Sequence, residues 1–142
     1  YTAIGLKPPT PTGQQQRYVL EWVEKAEGDH ATALRELRAR KAPNYDAACF
    51  HAQQLAEKYL KAFLQEQDQV IPKTHSLIDL LALVLEIDTS FHLIRPDLIR
   101  LDRYAVRFRY PGERADKEEA RFALRSAEAV RQFARAKLGL IL

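Results

Sequence analysis

The sequence predicts an all-α fold, an antiparallel up-and-down bundle of four long helices plus a short fifth. Apolar residues recur at spacings of three and four through most of the chain, as on the buried face of a helix. No segment shows the sustained alternation of polar and apolar residues that is typical of a strand. The composition agrees, because only five of the 142 residues are glycine, and alanine, leucine, glutamate and arginine are abundant.

The first two helices are separated by Pro43 and Asn44, which interrupt helical geometry. The first helix is expected over about residues 14–40 and the second over residues 45–67. Spacing of three and four places the apolar residues of the second helix on one buried face. These residues are Tyr45, Ala48, Cys49, Ala52, Leu55, Ala56, Tyr59, Leu60, Phe63 and Leu64.

A third helix is expected after Thr74 or Ser76, since either hydroxyl can cap its first turn. Pro96 suits the first turn of a fourth helix. That helix should end by Tyr110, because Pro111 disfavours helical geometry in the residue before it. The residues of the fourth helix expected to face inward are Leu98, Leu101, Ala105 and Phe108.

The fifth helix is expected to begin after Asp116, with Glu119 completing a capping box three residues later. Its apolar stripe consists of Ala120, Ala123, Leu124, Ala127, Val130, Phe133, Ala134 and Leu138. Residues 1–13 are rich in proline and are expected to form a flexible, extended arm. The sequence therefore predicts an arm over residues 1–13 and one domain over residues 14–142.

Composition argues against several classes of protein. No apolar run reaches the roughly 18 residues that a membrane span requires. The single cysteine, Cys49, cannot form an intramolecular disulfide, and a reducing cytoplasm is its simplest location. Because Cys49 lies on the apolar face of the second helix, we expect a buried hydrophobic side chain rather than a reactive thiol. The histidines have no metal-ligand spacing and no cofactor motif is present, so neither a metal nor a cofactor is expected.

A set of polar residues follows another face of the second helix. These residues, which we call the polar line, are His51, Gln54, Lys58 and Lys61. They are candidates for contacts with a base, a ribose or a phosphate. They are also compatible with an ordinary surface on which Glu57 pairs with Lys61 at i, i+4. Asp29 on the first helix is expected either to orient a lysine or arginine beside this line or to remain a surface acid next to His30.

Several arginines recur at spacings of three and four toward the end of the fourth helix. They are Arg100, Arg103, Arg107 and Arg109, which we call the arginine strip. The first three would share one helix face, and guanidinium groups bind phosphate through paired hydrogen bonds, so the strip is a candidate phosphate-binding surface. The alternative is a solvated face paired with nearby acids. Tyr104 and Tyr110 lie among these arginines, where they could stack on bases, but Tyr110 precedes a proline and is expected to pack within the fold.

Three separated motifs occur in an order that is typical of one protein family. They are Ala26…Asp29…Ala33 followed by the run Tyr45 to Ala62, then Thr74-His75-Ser76-Leu77, and finally Arg109-Tyr110-Pro111. Over roughly residues 17–138 the chain resembles the HEPN domain (higher eukaryotes and prokaryotes nucleotide-binding). The resemblance implies a helical bundle that commonly forms a homodimer and binds a nucleotide or RNA. It also implies a small nucleotidyltransferase as a partner protein, often in a toxin–antitoxin-like system.

Some members of the family are metal-independent ribonucleases with an arginine followed four to six residues later by a histidine. Arg103 matches the arginine, but no histidine follows His92. The resemblance therefore favours the Arg-Tyr-Pro branch, which binds without catalysis. The alternative is an endoribonuclease in which Arg103 acts with a substitute such as His51, His75 or Tyr104. His75 is expected to fasten the loop before the third helix, and its alternative role is that of a general base.

Overall fold

The computed structural model describes residues 13–140, apart from the side chain of Arg109. This part of the chain contains five α-helices and no β-strand, so the predicted all-α class is confirmed. The helices are α1 (Gly13–Arg38), α2 (Tyr45–Glu66), α3 (Leu77–Leu85), α4 (Arg95–Asp102) and α5 (Lys117–Lys137). Short 3-10 segments lie at Thr89–Ile94, Arg103–Ala105 and Arg107–Arg109. The predicted Pro-rich arm lies outside the described residues, except for Gly13, which begins α1.

The second helix, α2, lies at the centre of the bundle, and more than half of its residues are buried. It begins after Asn44 because that side chain accepts a hydrogen bond of 2.9 Å from the backbone N–H of Ala47. Small residues allow α1 and α5 to approach α2 closely. The buried alanines at these contacts are Ala26, Ala33, Ala48, Ala52, Ala56, Ala120, Ala123, Ala127 and Ala134.

The direction of α1 is opposite to that of α2. Glu36, near the end of α1, accepts a hydrogen bond from the backbone N–H of Asn44 at the start of α2. Glu27, in the middle of α1, accepts one from the hydroxyl of Tyr59 in the second half of α2. Because sequence numbers fall along one helix as they rise along the other, the two helices form the antiparallel pair that the short loop predicts.

The last helix, α5, runs in the same direction as α2. Asp46 in the first turn of α2 accepts a hydrogen bond from the backbone N–H of Ala115, just before α5. Near the other end, Arg135 donates to the hydroxyl of Tyr59 at 3.2 Å. The segment that contains α3 and α4 therefore returns the chain to the end of the bundle where α2 begins.

Two predicted helix caps are present. Ser76 accepts a hydrogen bond of 3.2 Å from the backbone N–H of Asp79, so it is Ser76 rather than Thr74 that caps α3. Asp116 accepts one of 2.8 Å from the N–H of Glu119 at the start of α5. The carboxylate of Glu119 accepts hydrogen bonds from Arg107, which lies in the connection between α4 and α5.

The fourth helix is shorter than the sequence predicts, because it ends at Asp102 instead of continuing to Tyr110. Asp102 accepts a hydrogen bond of 2.7 Å from the backbone N–H of Leu77, which fixes this end of α4 against the start of α3. The backbone of Val106 then leaves the helical region, with φ of −134°. The turns between them place the ring of Tyr104 in the core. Tertiary packing outweighs helical spacing here, and the bundle has three long helices and two short ones.

A network of hydrogen bonds around the carboxylate of Glu27 connects the three long helices. The carboxylate of Glu27 accepts two hydrogen bonds of 2.8 Å from Arg131 of α5, and one of 2.5 Å from the hydroxyl of Tyr59 of α2. The hydrogen bonds from Arg131 lower the pKa of Glu27 to about 2. Burial raises the pKa of Tyr59 to about 12, so its hydroxyl remains a donor at neutral pH.

Replacing Glu27 with glutamine should destabilise the fold by about 1–3 kcal/mol at pH 7, because Arg131 loses its ionised partner. The folded-state pKa of Glu27 lies below its unfolded value, so its contribution is complete above pH 5 and is lost as the pH falls toward 2. Urea unfolding from pH 7 to pH 3 should therefore show a gap between wild type and Glu27→Gln that narrows with acid. Glu24→Gln, at an exposed position of α1, is the control. A constant gap would contradict this account.

Candidate functional site

Two residues of the polar line are held by one buried carboxylate. Oδ2 of Asp29 accepts a hydrogen bond of 2.5 Å from Nζ of Lys58, and Oδ1 lies 2.8 Å from Nδ1 of His51. Asp29 is buried, whereas His51 and Lys58 keep part of their side chains in solvent. The expectation that Asp29 orients a lysine is confirmed. The negative charge of Asp29 offsets the positive charge of Lys58. This pair therefore offers directed hydrogen bonds rather than net charge.

A third residue of the polar line, Lys61, faces the interior. Its Nζ lies 3.1 Å from Oε2 of Glu57, and the two side chains are only 6% and 5% exposed. The ammonium group also lies 5.7 Å from the centre of the Trp22 ring. The alternative i, i+4 pair with Glu57 is therefore the one that forms. The remaining residue of the polar line, Gln54, is partly exposed and donates a hydrogen bond of 2.7 Å to the side chain of Gln53.

The buried carboxylate of Glu57 also holds His75. Nδ1 of His75 lies 3.1 Å and 3.2 Å from the two oxygens of Glu57, and the backbone oxygen of His75 accepts a hydrogen bond from Gln53. These contacts confirm that His75 fastens the loop before α3. Its side chain is nevertheless 71% exposed. A carboxylate that binds one ring nitrogen and leaves the other toward solvent is the arrangement of an oriented imidazole.

Sequence reasoning missed the role of Glu57 and Gln53 as partners of this loop. A signal was present, because buried polar residues four apart on a central helix require partners from a neighbouring segment.

Two arginines of the arginine strip are engaged within the fold. Arg107 donates from Nη1 to both carboxylate oxygens of Glu119, at 2.9 Å and 2.6 Å, and its Nε lies 3.5 Å from Glu113. Arg100 donates to the hydroxyl of the buried Ser126 at 2.6 Å. Both guanidinium groups thus stabilise contacts of the α4 region with α5 and its preceding loop.

Arg103 is the exposed member of the strip. Its Nε donates to the backbone oxygen of Arg100 at 3.1 Å, and its guanidinium group lies 5.5 Å from the centre of the Tyr104 ring. The prediction that Arg100, Arg103 and Arg107 share one helix face is wrong, because α4 ends at Asp102. The side chain of Arg109 lies outside the described part of the structure.

An open cavity of about 410 Å³ separates the start of α2 from the turns that carry these arginines. Phe50 lines it opposite Tyr104 and Val106, and is 37% exposed. The ring of Phe50 also contacts the ring of His51 edge to face, with 5.5 Å between centroids. Phe50 therefore joins the polar line to the turn that contains Arg103. We call the exposed parts of Phe50, His51, Gln54, Lys58 and Arg103 the Phe50 surface.

The two tyrosines among the arginines have different environments. Tyr104 is buried and stacks on Phe108, and burial raises its pKa to about 12. The prediction that Tyr110 packs is wrong, because its side chain is 70% exposed. Cys49 is buried and its pKa is raised by burial to about 12, as expected for a hydrophobic side chain.

Two further features bear on the class of protein. Among residues 13–140, no group of three or more histidine, cysteine or acidic side chains is arranged to hold a metal ion. Within the same residues, no helix has the length and apolar character needed to cross a bilayer. The fold and the Phe50 surface together define a helical bundle with an exposed surface of mixed aromatic and polar side chains.

Comparison with known proteins agrees with that description. The HEPN domain family model matches residues 19–137, and the chain belongs to the HEPN domain family. The crystal structure of TT1696 from Thermus thermophilus superposes with a TM-score of 0.70 at 26% sequence identity, covering 84% of this chain and 97% of that one. A search of curated proteins gives no match. The family assignment made from the three sequence motifs is confirmed.

The geometry around Asp29 predicts that Asp29 and Lys58 stabilise the fold jointly. A double-mutant cycle of Asp29→Asn and Lys58→Ala, measured by urea unfolding, should give a coupling energy of about 1–3 kcal/mol. The corresponding cycle with Lys73→Ala, an exposed lysine of the loop before α3, should give coupling below about 0.5 kcal/mol. Equal coupling in the two cycles would show that the Asp29–Lys58 contact does not form in solution.

Proposed function

We propose that this HEPN-domain chain is a non-catalytic module that binds a nucleotide or RNA through the Phe50 surface. The observation that carries the proposal is the exposed ring of Phe50, which contacts His51 on one side and lies across an open cavity from Tyr104. Tyr104 is in turn contacted by the exposed Arg103. Single-stranded RNA and nucleotides are commonly bound by stacking of bases on aromatic rings together with contacts of cations to phosphate.

Each residue of the Phe50 surface has a distinct part in this proposal. The ring of Phe50 provides a platform on which a base stacks. Arg103 provides a guanidinium group whose only hydrogen bond within residues 13–140 is to a backbone oxygen, which leaves its other donors for phosphate. Lys58 provides an ammonium donor, and His51 provides a ring nitrogen for hydrogen bonding, to a ribose or a base edge; Asp29 holds both side chains in position.

We further propose that the chain forms a homodimer and acts with a small nucleotidyltransferase in a toxin–antitoxin-like system in the cytoplasm. The single cysteine supports the location, and the resemblance to the HEPN family supports the partner. Exposed apolar side chains support dimerisation, because Ile99 on α4 and Phe122 on α5 both reach the surface. The domain limits proposed for this module remain residues 14–142.

Binding is tested by fluorescence anisotropy with labelled ATP and a labelled 12-nucleotide RNA, at low and moderate salt. Phe50→Ala and Arg103→Ala should each weaken binding by about tenfold, since loss of a stacking partner or a phosphate contact costs of the order of 1–3 kcal/mol. Tyr18→Ala and Arg95→Ala, at exposed positions elsewhere, are the matched controls. Light scattering of the same samples should give the mass of a dimer. Failure of both probes to bind wild type, with and without a nucleotidyltransferase partner, would refute the proposal.

The second candidate function is a metal-independent endoribonuclease, and one observation favours it. His75 is oriented by the buried Glu57 and is exposed, as a general base requires. Leu77, two residues after it, is bonded to Asp102, which precedes Arg103 in the chain. A substitute for the missing histidine therefore lies on a loop fixed next to the segment of Arg103.

This alternative makes a separate prediction for structured RNA. If His75 and Arg103 are catalytic, the wild-type protein should cleave structured RNA. His75→Ala and Arg103→Ala should each reduce the rate of cleavage by about a hundredfold or more. Lys73→Ala, an exposed change in the same loop, should cleave at the wild-type rate. Equal background cleavage by all four proteins removes the endoribonuclease and leaves the binding module.

A further inference from the structure

A second basic surface lies where α1 ends and α5 begins. An open cavity of about 580 Å³ is lined there by four cationic side chains together with Tyr45, the first residue of α2. The cations are Arg38, Arg40, Lys117 and Arg121. All four are exposed and come from segments about eighty residues apart in the sequence.

None of these four cations forms an ion pair with a carboxylate of residues 13–140. This distinguishes them from the cations at the centre of the bundle and at the α4–α5 connection, where Lys58, Arg107 and Arg131 each contact a carboxylate. Glu36, two residues before Arg38, forms no ion pair with it and accepts a hydrogen bond from the backbone N–H of Asn44. Positive charge therefore accumulates in the cavity, and repulsion between like charges favours the binding of an anion there.

The cavity continues as a groove along the seam of α1 and α5. A second cavity of about 480 Å³ shares Arg38 and Arg121 with the first and adds Arg125. On α5, Lys117, Arg121 and Arg125 are each four residues apart, so they lie on one helix face at intervals of about 6 Å. The far end is closed by Glu128, which pairs with Arg131 and His30. We call this channel the basic groove.

We propose that the basic groove binds the phosphate groups of the ligand whose base contacts the Phe50 surface. Guanidinium groups match phosphate with paired hydrogen bonds, and an anion would relieve the repulsion among the four cations. The groove and the Phe50 surface lie on either side of the first turn of α2, since Tyr45 lines one and Asp46 and Ala47 line the cavity beside the other. The inference rests on the proposed function for the class of ligand, and it adds a second phosphate site to the contact proposed for Arg103.

The same chemistry could come from a nucleoside triphosphate or from an RNA strand, and the experiment separates them. Anisotropy is measured with labelled ATP and with labelled RNAs of 4, 8 and 12 nucleotides, and inorganic triphosphate is the competitor. A nucleotide site should give ATP affinity at least equal to that of RNA and strong competition by triphosphate. An RNA site should give affinity that rises with length and weak competition.

The decisive variant is Arg38→Ala combined with Arg121→Ala, compared with Arg17→Ala combined with Arg95→Ala. Both remove two exposed arginines, but only the first pair lies in the basic groove. The groove variant should bind at least tenfold more weakly. For RNA, a plot of log K against log salt should become less steep, and the magnitude of its negative slope should fall by about 1.4. This is about 0.7 for each phosphate that the variant no longer neutralises. The control should keep the wild-type affinity and slope to within about twofold and 0.3 respectively.

Lys117→Gln tests the same groove with a milder change, and it should weaken binding several-fold. If the groove variants bind like wild type while Phe50→Ala weakens binding, the basic groove is not the phosphate site and the proposed function stands. If wild type binds neither ATP nor RNA, both the groove and the proposed function are wrong. Circular dichroism of each variant verifies that its helices are intact.

Discussion

The structure depends on the burial of α2 on nearly all sides. A helix in this position cannot leave its polar side chains to water, and α2 carries Gln53, Glu57 and Lys61 among its buried residues. Each unsatisfied group would cost about 1–3 kcal/mol. The bundle meets this requirement by having the loop before α3 bind Gln53 and Glu57, while Lys61 pairs with Glu57. Hydrogen bonding of the buried polar side chains of α2 thus fixes where its neighbouring segments lie.

Two groups of cations in the protein differ in whether a carboxylate compensates them. The first includes Lys58, which is paired with Asp29, and Arg107, which is paired with Glu119. Those at the end of the bundle, around Arg38 and Arg121, have none within residues 13–140. The first group orients side chains and holds helices together, and the second leaves positive charge for an external anion. The proposed binding function rests on this division.

Sequence patterns predicted the long helices because their apolar spacing is strong and their caps are local. They failed at α4, where the burial of Tyr104 and the bond of Asp102 to Leu77 are tertiary effects that no local pattern reveals. Helical spacing allowed Lys61 either to join the polar line or to pair with Glu57, but it could not show that the Trp22 ring covers Lys61. The basic groove was not predicted, because its cations come from opposite ends of the chain and meet only in the folded bundle.

We infer that α2 is the most stable element of the fold and that the proposed binding surfaces are arranged around it. Native-state hydrogen exchange measures this directly. The amides of Ala56, Tyr59 and Leu60 should exchange only through global unfolding. Their opening free energy should equal the free energy of unfolding measured by urea denaturation. Exchange of these amides through an opening of lower free energy than that of Val130 in α5 would show that α2 is not the element on which the fold depends.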